Sequence, residues 1–228
     1  MENVVIRFEN VKKAYESNVV IEKFSLVIEK DEFVTIIGSS GCGKTTILKM
    51  INGLIMPDEG VVYVNGQDTN KQDLVSLRRS IGYAIQGSSL FPHMTVEDNI
   101  AYVPKLINKN NKEKTREAVA KWLHVVGLPV GLLGRYPDEL SGGQQQRVGI
   151  ARALAASPDI LLMDEPFGAV DEITRNQLQE EMLNIHKVHA VTIIFVTHDI
   201  REALKLGTKV LVMDKGDVLQ YDRPEVIK

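Results

Sequence analysis

The chain has 228 residues, of which 44% are hydrophobic and 25% are charged. This length and composition are typical of one globular domain with a sizeable core. The formal net charge of −3 gives no reason to expect a nucleic-acid partner. Cys42 is the single cysteine, which excludes an intrachain disulfide and suits a reducing compartment.

The longest apolar runs have the length of strands. None approaches the roughly 18 apolar residues that a membrane-spanning helix needs. The N-terminus lacks the basic and apolar regions of a secretory signal. We therefore expect a soluble protein whose role at a membrane, if it has one, comes through a partner.

Hydrophobic periodicity divides the chain into strands and helices. In chain order, the predicted strands are Val4–Phe8, Phe24–Ile28, Phe33–Ile37, Val61–Val64, Ile81–Ile85, Ile160–Met163, Thr192–Val196 and Val210–Met213. The predicted helices are Lys44–Asn52, a short helix beginning at Thr95, Lys112–Val126, a helix beginning at Ser141, Ile173–His189 and Ile200–Leu206. Strands and helices that alternate in this way predict a parallel sheet with helices on both faces. Between about residues 88 and 157 the pattern changes, which predicts an inserted helical subdomain.

A phosphate-binding loop is predicted at residues 38–45, which read Gly-Ser-Ser-Gly-Cys-Gly-Lys-Thr between a predicted strand and a predicted helix. The glycines let the backbone N–H groups point inward, and the helix start adds positive potential. Lys44 supplies a cation for the β- and γ-phosphates, and Thr45 offers a hydroxyl to Mg²⁺. A glycine-rich turn without a ligand is the disfavoured alternative. The predicted ATP-binding residues here are Gly38, Ser39, Ser40, Gly41, Cys42, Gly43, Lys44, Thr45 and Thr46.

Two adjacent carboxylates follow the predicted strand Ile160–Met163. In an open α/β sheet the carboxyl ends of the strands face the ligand crevice. We expect Asp164 to hold Mg²⁺ through water and Glu165 to polarise the attacking water. The alternative is a solvated turn that caps the next helix.

A second anion site is predicted at Ser141-Gly-Gly-Gln144, which has the pattern of a capping box. Two glycines directly after the cap reduce helix stability. Their presence is explained if a phosphate must approach the backbone at the helix start. A well-capped helix without a ligand is the alternative.

The segment Leu140–Gln144 resembles the signature of ABC-type ATPases. The phosphate loop and the carboxylate pair at 164–165 occur in the order that this family shows. The resemblance implies an α/β P-loop NTPase fold with an N-terminal antiparallel β subdomain and a mostly parallel core sheet. The whole of residues 1–228 would be one nucleotide-binding domain, with the helical subdomain at about 88–157 carrying the signature.

Further residues receive roles through the same resemblance. Tyr15 would stack on adenine, and Gln86 would sense Mg²⁺ and the transport partner. Asp171 would lie in the loop that crosses the dimer, and His198 would contact the γ-phosphate. The implied catalytic residues are Glu165, His198 and Gln86, and the implied Mg²⁺ residues are Thr45, Gln86 and Asp164.

In ABC ATPases two subunits pack head to tail and trap two ATP molecules with Mg²⁺. By that resemblance Ser141 and Gly143 act on the nucleotide of the second subunit, and Gly142 and Gln144 are further predicted ATP-binding residues of the same segment. The partner would be a second copy of this chain or a paralogous ATPase. Separate transmembrane permease subunits would hold the chain at the cytoplasmic face of the membrane, and an extracytoplasmic solute-binding protein would act indirectly.

Longer segments are similar to the ATPases of osmoprotectant importers, which take up glycine betaine, carnitine or choline. These segments are Gly82–Gln86, Leu90–Asn99 and Asp164–Arg175. Leu90–Thr95 is then the candidate surface for the permease. One alternative is another small solute, such as ergothioneine or an amino acid. Less favoured are a soluble ABC protein of translation or DNA repair, which would need a second cassette or a coiled-coil insertion, and a P-loop kinase.

Overall fold

The computed structural model describes residues 3–85, 90–109, 111–168 and 170–227. In chain order the strands and helices are β1 (Val4–Tyr15), β2 (Asn18–Glu29), β3 (Phe33–Gly38), α1 (Lys44–Ile51), β4 (Glu59–Val64), β5 (Gln67–Asp68), α2 (Leu74–Ser80), β6 (Ile81–Ala84), α3 (Val96–Ile107), α4 (Lys112–Val125), α5 (Gly142–Leu154), β7 (Ile160–Asp164), α6 (Glu172–His189), β8 (Thr192–Val196), α7 (Ile200–Leu206), β9 (Lys209–Asp214) and β10 (Asp217–Asp222). They form two compact units: Met1–Arg78 with Ala190–Lys228, and Arg79–His189. Among the described helices, none has the length and hydrophobicity that a membrane crossing requires.

The first unit contains an antiparallel sheet with the strand order β2-β1-β4-β5. One face is buried, and there the rings of Phe8 and Phe24 meet edge to face with their centroids 5.1 Å apart. Strand β1 is longer than predicted because a bulge falls between Phe8 and Val11. Asn10 adopts a positive φ of 47° at this bulge. The extra residue returns Val11 to the buried face, so the strand continues past the polar residues at which the prediction ended.

The same unit contains the second sheet, with the order β10-β9-β3-β8. Strands β9, β3 and β8 are parallel, which confirms the predicted parallel sheet. All five residues of β8 are buried, as its continuous apolar sequence predicts. Strand β10 was not predicted. It follows a tight turn in which Lys215 and Gly216 have φ values of 48° and 87°, and it pairs antiparallel with β9.

The second unit contains the parallel pair β6 and β7 and most of the helices. Helices α3, α4 and α5 pack against one another, and α5 also packs on β6. A Cβ atom at Gly82 would lie 2.5 Å from the backbone oxygen of Ala153. Glycine at this position therefore allows α5 to approach the strand closely.

Two glycines occupy positions that need a positive φ. Gly53 follows α1 with a φ of +64°, as a glycine at a helix C-terminus commonly does. Gly66 has a φ of 75° and forms a tight turn with Asn65, whose φ is 50°. Helix α2 was missed, although Asp73 marks its start by accepting hydrogen bonds from the N–H groups of Val75 and Ser76.

Asn99 organises the segment that precedes α3. Its side chain is fully buried, and its Oδ1 accepts a hydrogen bond from the Phe91 N–H at 2.9 Å. Its Nδ2 donates to the carbonyl oxygens of Phe91, Met94 and Thr95, at 3.0 to 3.2 Å. The Asn99 amide thus provides hydrogen-bond partners for backbone groups of residues 91–95, which lie outside any helix or strand.

We expect Asn99→Ala to lower the free energy of unfolding by about 3 kcal/mol, because it leaves buried backbone groups without partners and creates a cavity. The exposed Asn70 provides the control, since Asn70→Ala should change stability by less than about 0.5 kcal/mol. Urea denaturation of both variants checks this. Equal stability of the two variants would show that Asn99 does not hold this segment.

Candidate functional site

The phosphate loop joins the end of β3 to the start of α1 and begins with a close backbone contact. A Cβ atom at Gly38 would lie 2.2 Å from the carbonyl oxygen of Met213 in the neighbouring strand β9. Gly41 and Gly43 have φ values of 80° and 103°, a region that other residues rarely adopt. Glycine is therefore required at Gly38 by the close contact with β9, and at Gly41 and Gly43 by the positive φ.

Lys44 closes the loop on itself. The side chain is 8% exposed, and its Nζ donates hydrogen bonds to the carbonyl oxygens of Gly38 and Ser39, both at 2.9 Å. The hydroxyl of Ser39 donates to Asp214 at the end of β9, at 2.7 Å. The predicted phosphate-binding cation thus lies within the loop, and Asp214 is a supporting residue that sequence analysis missed. No local pattern reveals this contact, because Asp214 lies 175 residues further along the chain.

Tyr15 lies at the end of β1, opposite Asn18, and is 45% exposed. The hairpin that carries it packs on the phosphate loop, since a Cβ atom at Gly43 would lie 3.1 Å from Ile21. The ammonium of Lys13 lies 5.7 Å from the centroid of the Tyr15 ring. The Tyr15 ring is therefore exposed on a hairpin that packs on the loop, and an exposed aromatic ring can stack on a base.

His198 lies at the same sheet edge as the loop. Val196 of β8 pairs with Ile36 of β3, so His198 and Gly38 each follow this pair by two residues. His198 is exposed, and the next residue, Asp199, caps α7 by accepting from the N–H of Arg201 at 2.8 Å. The first unit therefore brings together three of the predicted features: the phosphate loop, Tyr15 and His198.

In the second unit, β7 ends at Asp164, as predicted for a carboxylate at a strand end. Glu165 has a φ of 44°, which is unusual for a residue with a Cβ atom and costs of order 1 kcal/mol. Backbone strain of this kind is concentrated at functional sites. Tyr83 on the adjacent strand is half-buried, and burial together with the Asp164 carboxylate raises the pKa of its phenol to about 12.

The signature segment contains the capping box that its sequence predicts. The Ser141 hydroxyl accepts from the Gln144 N–H at 3.3 Å, and the Gln144 side chain accepts from the Ser141 N–H at 3.0 Å. Ser141 and Gly142 are exposed, whereas Gly143 faces Thr174 of α6. The helix start is therefore well formed and open to solvent on the side of Gly142.

Asp171 lies at the start of α6. Its carboxylate accepts from the N–H of Thr174 at 3.0 Å and from the hydroxyl of Thr174 at 2.6 Å. The hydroxyl contact is the main cause that lowers the pKa of the Asp171 carboxyl. Gln86 lies outside the described residues, so its predicted role stays a prediction.

Helices α1 and α5 differ from the other described α-helices in the charge at their starts. Neither has an acidic N-cap or an acidic residue in its first turn. Each of the others begins with an acidic residue at the cap or in the first turn. Since a helix N-terminus carries about half a positive charge, these two starts keep a positive potential that the rest compensate.

The sequence model of the ABC transporter family matches residues 21–168. The carnitine transport ATP-binding protein OpuCA of Listeria monocytogenes is 51% identical over 224 residues, which are 98% of this chain and 56% of that protein. The glycine betaine/carnitine/choline transport ATP-binding protein OpuCA of Bacillus subtilis (strain 168) is 48% identical, over 98% of this chain and 59% of that protein. The chain thus spans a little over half the length of these relatives.

A solved structure with a similar fold is the dimeric ATP-binding cassette MJ0796 in a post-hydrolysis state bound to ADP and Pi. It aligns with a TM-score of 0.86 and 34% sequence identity, over 96% of this chain and 98% of that chain. The fold of the chain is therefore that of an ATP-binding cassette.

We expect Ser141→Ala to lower the free energy of unfolding by about 1 kcal/mol, because the Gln144 N–H loses its acceptor. Ser141→Asn keeps a side-chain oxygen at the cap and should recover most of this loss. Urea denaturation without nucleotide compares the two variants with the parent. Equal losses in both would contradict a capping role for the hydroxyl.

Proposed function

The chain belongs to the ABC transporter family, and we propose that it is the ATP-hydrolysing subunit of an importer for a quaternary amine. Glycine betaine, carnitine or choline is the proposed solute class, because the OpuCA relatives are named for these compounds. Separate permease subunits would carry the solute, and this chain would supply the energy from ATP at the cytoplasmic face of the membrane.

The observation that carries the proposal is the pair of uncompensated helix starts. The start of α1 belongs to the phosphate loop, and the start of α5 belongs to the signature segment Leu140–Gln144. One nucleotide needs one phosphate cradle, so a second such start in the same chain suits the nucleotide of a second subunit. The dimeric form of the MJ0796 cassette supports this reading.

The phosphate loop and Lys44 are proposed to bind the β- and γ-phosphates of ATP, with Tyr15 stacked on adenine. Lys44 would exchange its two carbonyl partners for phosphate oxygens, which form stronger charge-assisted hydrogen bonds. Glu165 would polarise the attacking water, and His198 would contact the γ-phosphate. Gln86 keeps its proposed role as the residue that senses Mg²⁺ and the permease.

Mg²⁺ is the proposed metal. The hydroxyl of Thr45 and the carboxylate of Asp164 are oxygen donors of the kind that Mg²⁺ prefers. The described ranges contain no group of three or more His, Cys, Asp or Glu side chains placed to hold a metal ion. Mg²⁺ commonly takes one or two protein ligands and completes its shell with water and phosphate oxygens. When bound, it neutralises charge on the phosphates.

The segment Leu90–Thr95 is proposed as the permease contact. Asn99 fixes its backbone, and the Phe91 ring lies 4.9 Å from the ring of Tyr102 and 5.1 Å from the Arg152 guanidinium. Tyr102 is 40% exposed and Leu106 is 46% exposed on the same helix. A rigid loop beside exposed apolar side chains has the character of a protein-binding surface.

The split-site dimer is proposed to be ATP-dependent. Ser141 and Gly143 would contact the nucleotide of the other subunit, with Gly142 and Gln144 as further ATP-binding residues of the signature segment. Asp171 would lie in the loop that crosses between subunits. The second subunit would be a copy of this chain or a paralogous ATPase. An extracytoplasmic solute-binding protein would deliver the solute to the permease.

We expect Glu165→Gln to hydrolyse ATP at least about 100-fold more slowly while still binding it, since the amide cannot accept a proton from water. With Mg-ATP this variant should change from monomer to dimer in light scattering. A variant that binds ATP and remains monomeric would contradict the split-site proposal. Fast turnover by the same variant would contradict the role of Glu165.

We expect Lys44→Ala to weaken ATP binding at least about tenfold, because charge-assisted hydrogen bonds to the phosphates are lost. Lys49→Ala is the matched control, since it removes a cation from the last turn of the same helix. Binding of a fluorescent ATP analogue to each variant gives the affinities. Equal affinity of the two variants would remove the phosphate role from Lys44.

The same pair of variants tests the solute in cells that produce this protein with its permease. Uptake of labelled glycine betaine, carnitine or choline should fail with Lys44→Ala and persist with Lys49→Ala. If Lys44→Ala abolishes the uptake of an unrelated solute and not that of a quaternary amine, the ATPase role stands and the proposed solute is wrong.

A further inference from the structure

The two glycines of the signature segment have different surroundings. A Cβ atom added at Gly142 would meet nothing within 4 Å. A Cβ atom added at Gly143 would lie 2.7 Å from the methyl group of Thr174, and its next nearest neighbours are other atoms of Thr174. Gly142 therefore leaves space on the solvent side, whereas Gly143 leaves space for one side chain of α6.

Thr174 is held by Asp171. Its N–H and its hydroxyl donate to the two oxygens of the Asp171 carboxylate, at 3.0 Å and 2.6 Å. A threonine side chain has one soft torsion, so a bonded hydroxyl also determines where the methyl group points. The methyl group that contacts Gly143 is thus directed by the carboxylate of Asp171.

The segment around Asp171 has further restraints from the next residue. Arg175 donates its backbone N–H to the carbonyl oxygen of Asp171 at 2.9 Å, and its guanidinium donates to the carbonyl oxygen of Val170 at 3.3 Å. Hydrogen bonds therefore hold the start of α6, where Thr174 contacts both Asp171 and Gly143 of α5. A displacement of Asp171 would therefore move Thr174, which packs against Gly143 at the start of α5.

We propose that Thr174 is a positioning residue that links the Asp171 loop to the signature helix within one subunit. This inference rests on the proposed function, in which Asp171 and the signature segment Leu140–Gln144 both contact the second subunit. When two subunits meet around ATP, a shift of Asp171 moves the Thr174 methyl group and with it the N–H groups at the start of α5. The contact of Asp171 with the second subunit and the contact of the α5 start with its nucleotide therefore form or break together.

The test uses the Glu165→Gln background and measures the ATP concentration at which half of the protein is dimeric in light scattering. Thr174→Val keeps the packing on Gly143 and removes the hydroxyl, so it should raise this concentration about tenfold. Thr174→Ser keeps the hydroxyl bond but lacks the methyl group that contacts Gly143, so it should also raise this concentration about tenfold. ATP binding by the monomer should be equal in both variants.

Helix α2 offers a matched control. Ser76 donates its N–H and its hydroxyl to one oxygen of the Asp73 carboxylate, at 3.0 Å and 2.7 Å. As with Thr174 and Asp171, a hydroxyl thus bonds to the carboxylate three residues earlier at a helix start. Ser76→Ala should leave the ATP dependence of dimerisation unchanged. An equal effect of Ser76→Ala and Thr174→Val would overturn the proposal, since it would reflect general loss of helix stability.

A rescue experiment separates positioning from a structural role. Gly143→Ala should abolish ATP-dependent dimerisation, because the new methyl group meets Thr174. Adding Thr174→Ser removes the opposing methyl group and should restore part of the dimerisation. Failure of the rescue, or no effect of Thr174→Val, would refute the role of Thr174. Failure of the Glu165→Gln parent to dimerise would instead refute the proposed function on which it rests.

Discussion

The phosphate loop depends on one close approach between two strands. Strand β3 must end beside the carbonyl oxygen of Met213, a contact that leaves no room for a side chain at Gly38. Because β3 and β9 are parallel neighbours, Asp214 then falls within reach of Ser39 and anchors the first turn of the loop. The shape of the loop thus follows from strand order as much as from its own glycines.

Electrostatics divide the helices into two groups. Most helix starts in the described ranges carry an acidic residue, which lowers the free energy of the fold by offsetting the helix dipole. The starts of α1 and α5 lack one, so they give up this stabilisation. Gly43 at the first start and Gly142 and Gly143 at the second also reduce helix propensity. Local stability is sacrificed at the two places where an anion is proposed to bind.

The second unit contains residues whose task is to hold functional segments in place. Asn99 holds the loop that precedes α3, and Thr174 lies between Asp171 and Gly143. Neither residue belongs to a recognised nucleotide-binding motif. Each acts through hydrogen bonds to groups nearby in the chain, and each thereby determines the shape of a surface that a partner is proposed to contact.

The sequence by itself determined the starts of α1 and α5, the capping box at Ser141 and most strand and helix bounds. These features depend on short-range chemistry: periodicity, caps and glycine turns act within a few residues. Strand β10 and the extension of β1 past Asn10 escaped prediction because they depend on pairing with other strands. Only the tertiary structure decided that Asp214 anchors the loop and that Gly143 faces Thr174. Those contacts join residues far apart in the chain, and no local pattern encodes which distant surface a side chain will meet.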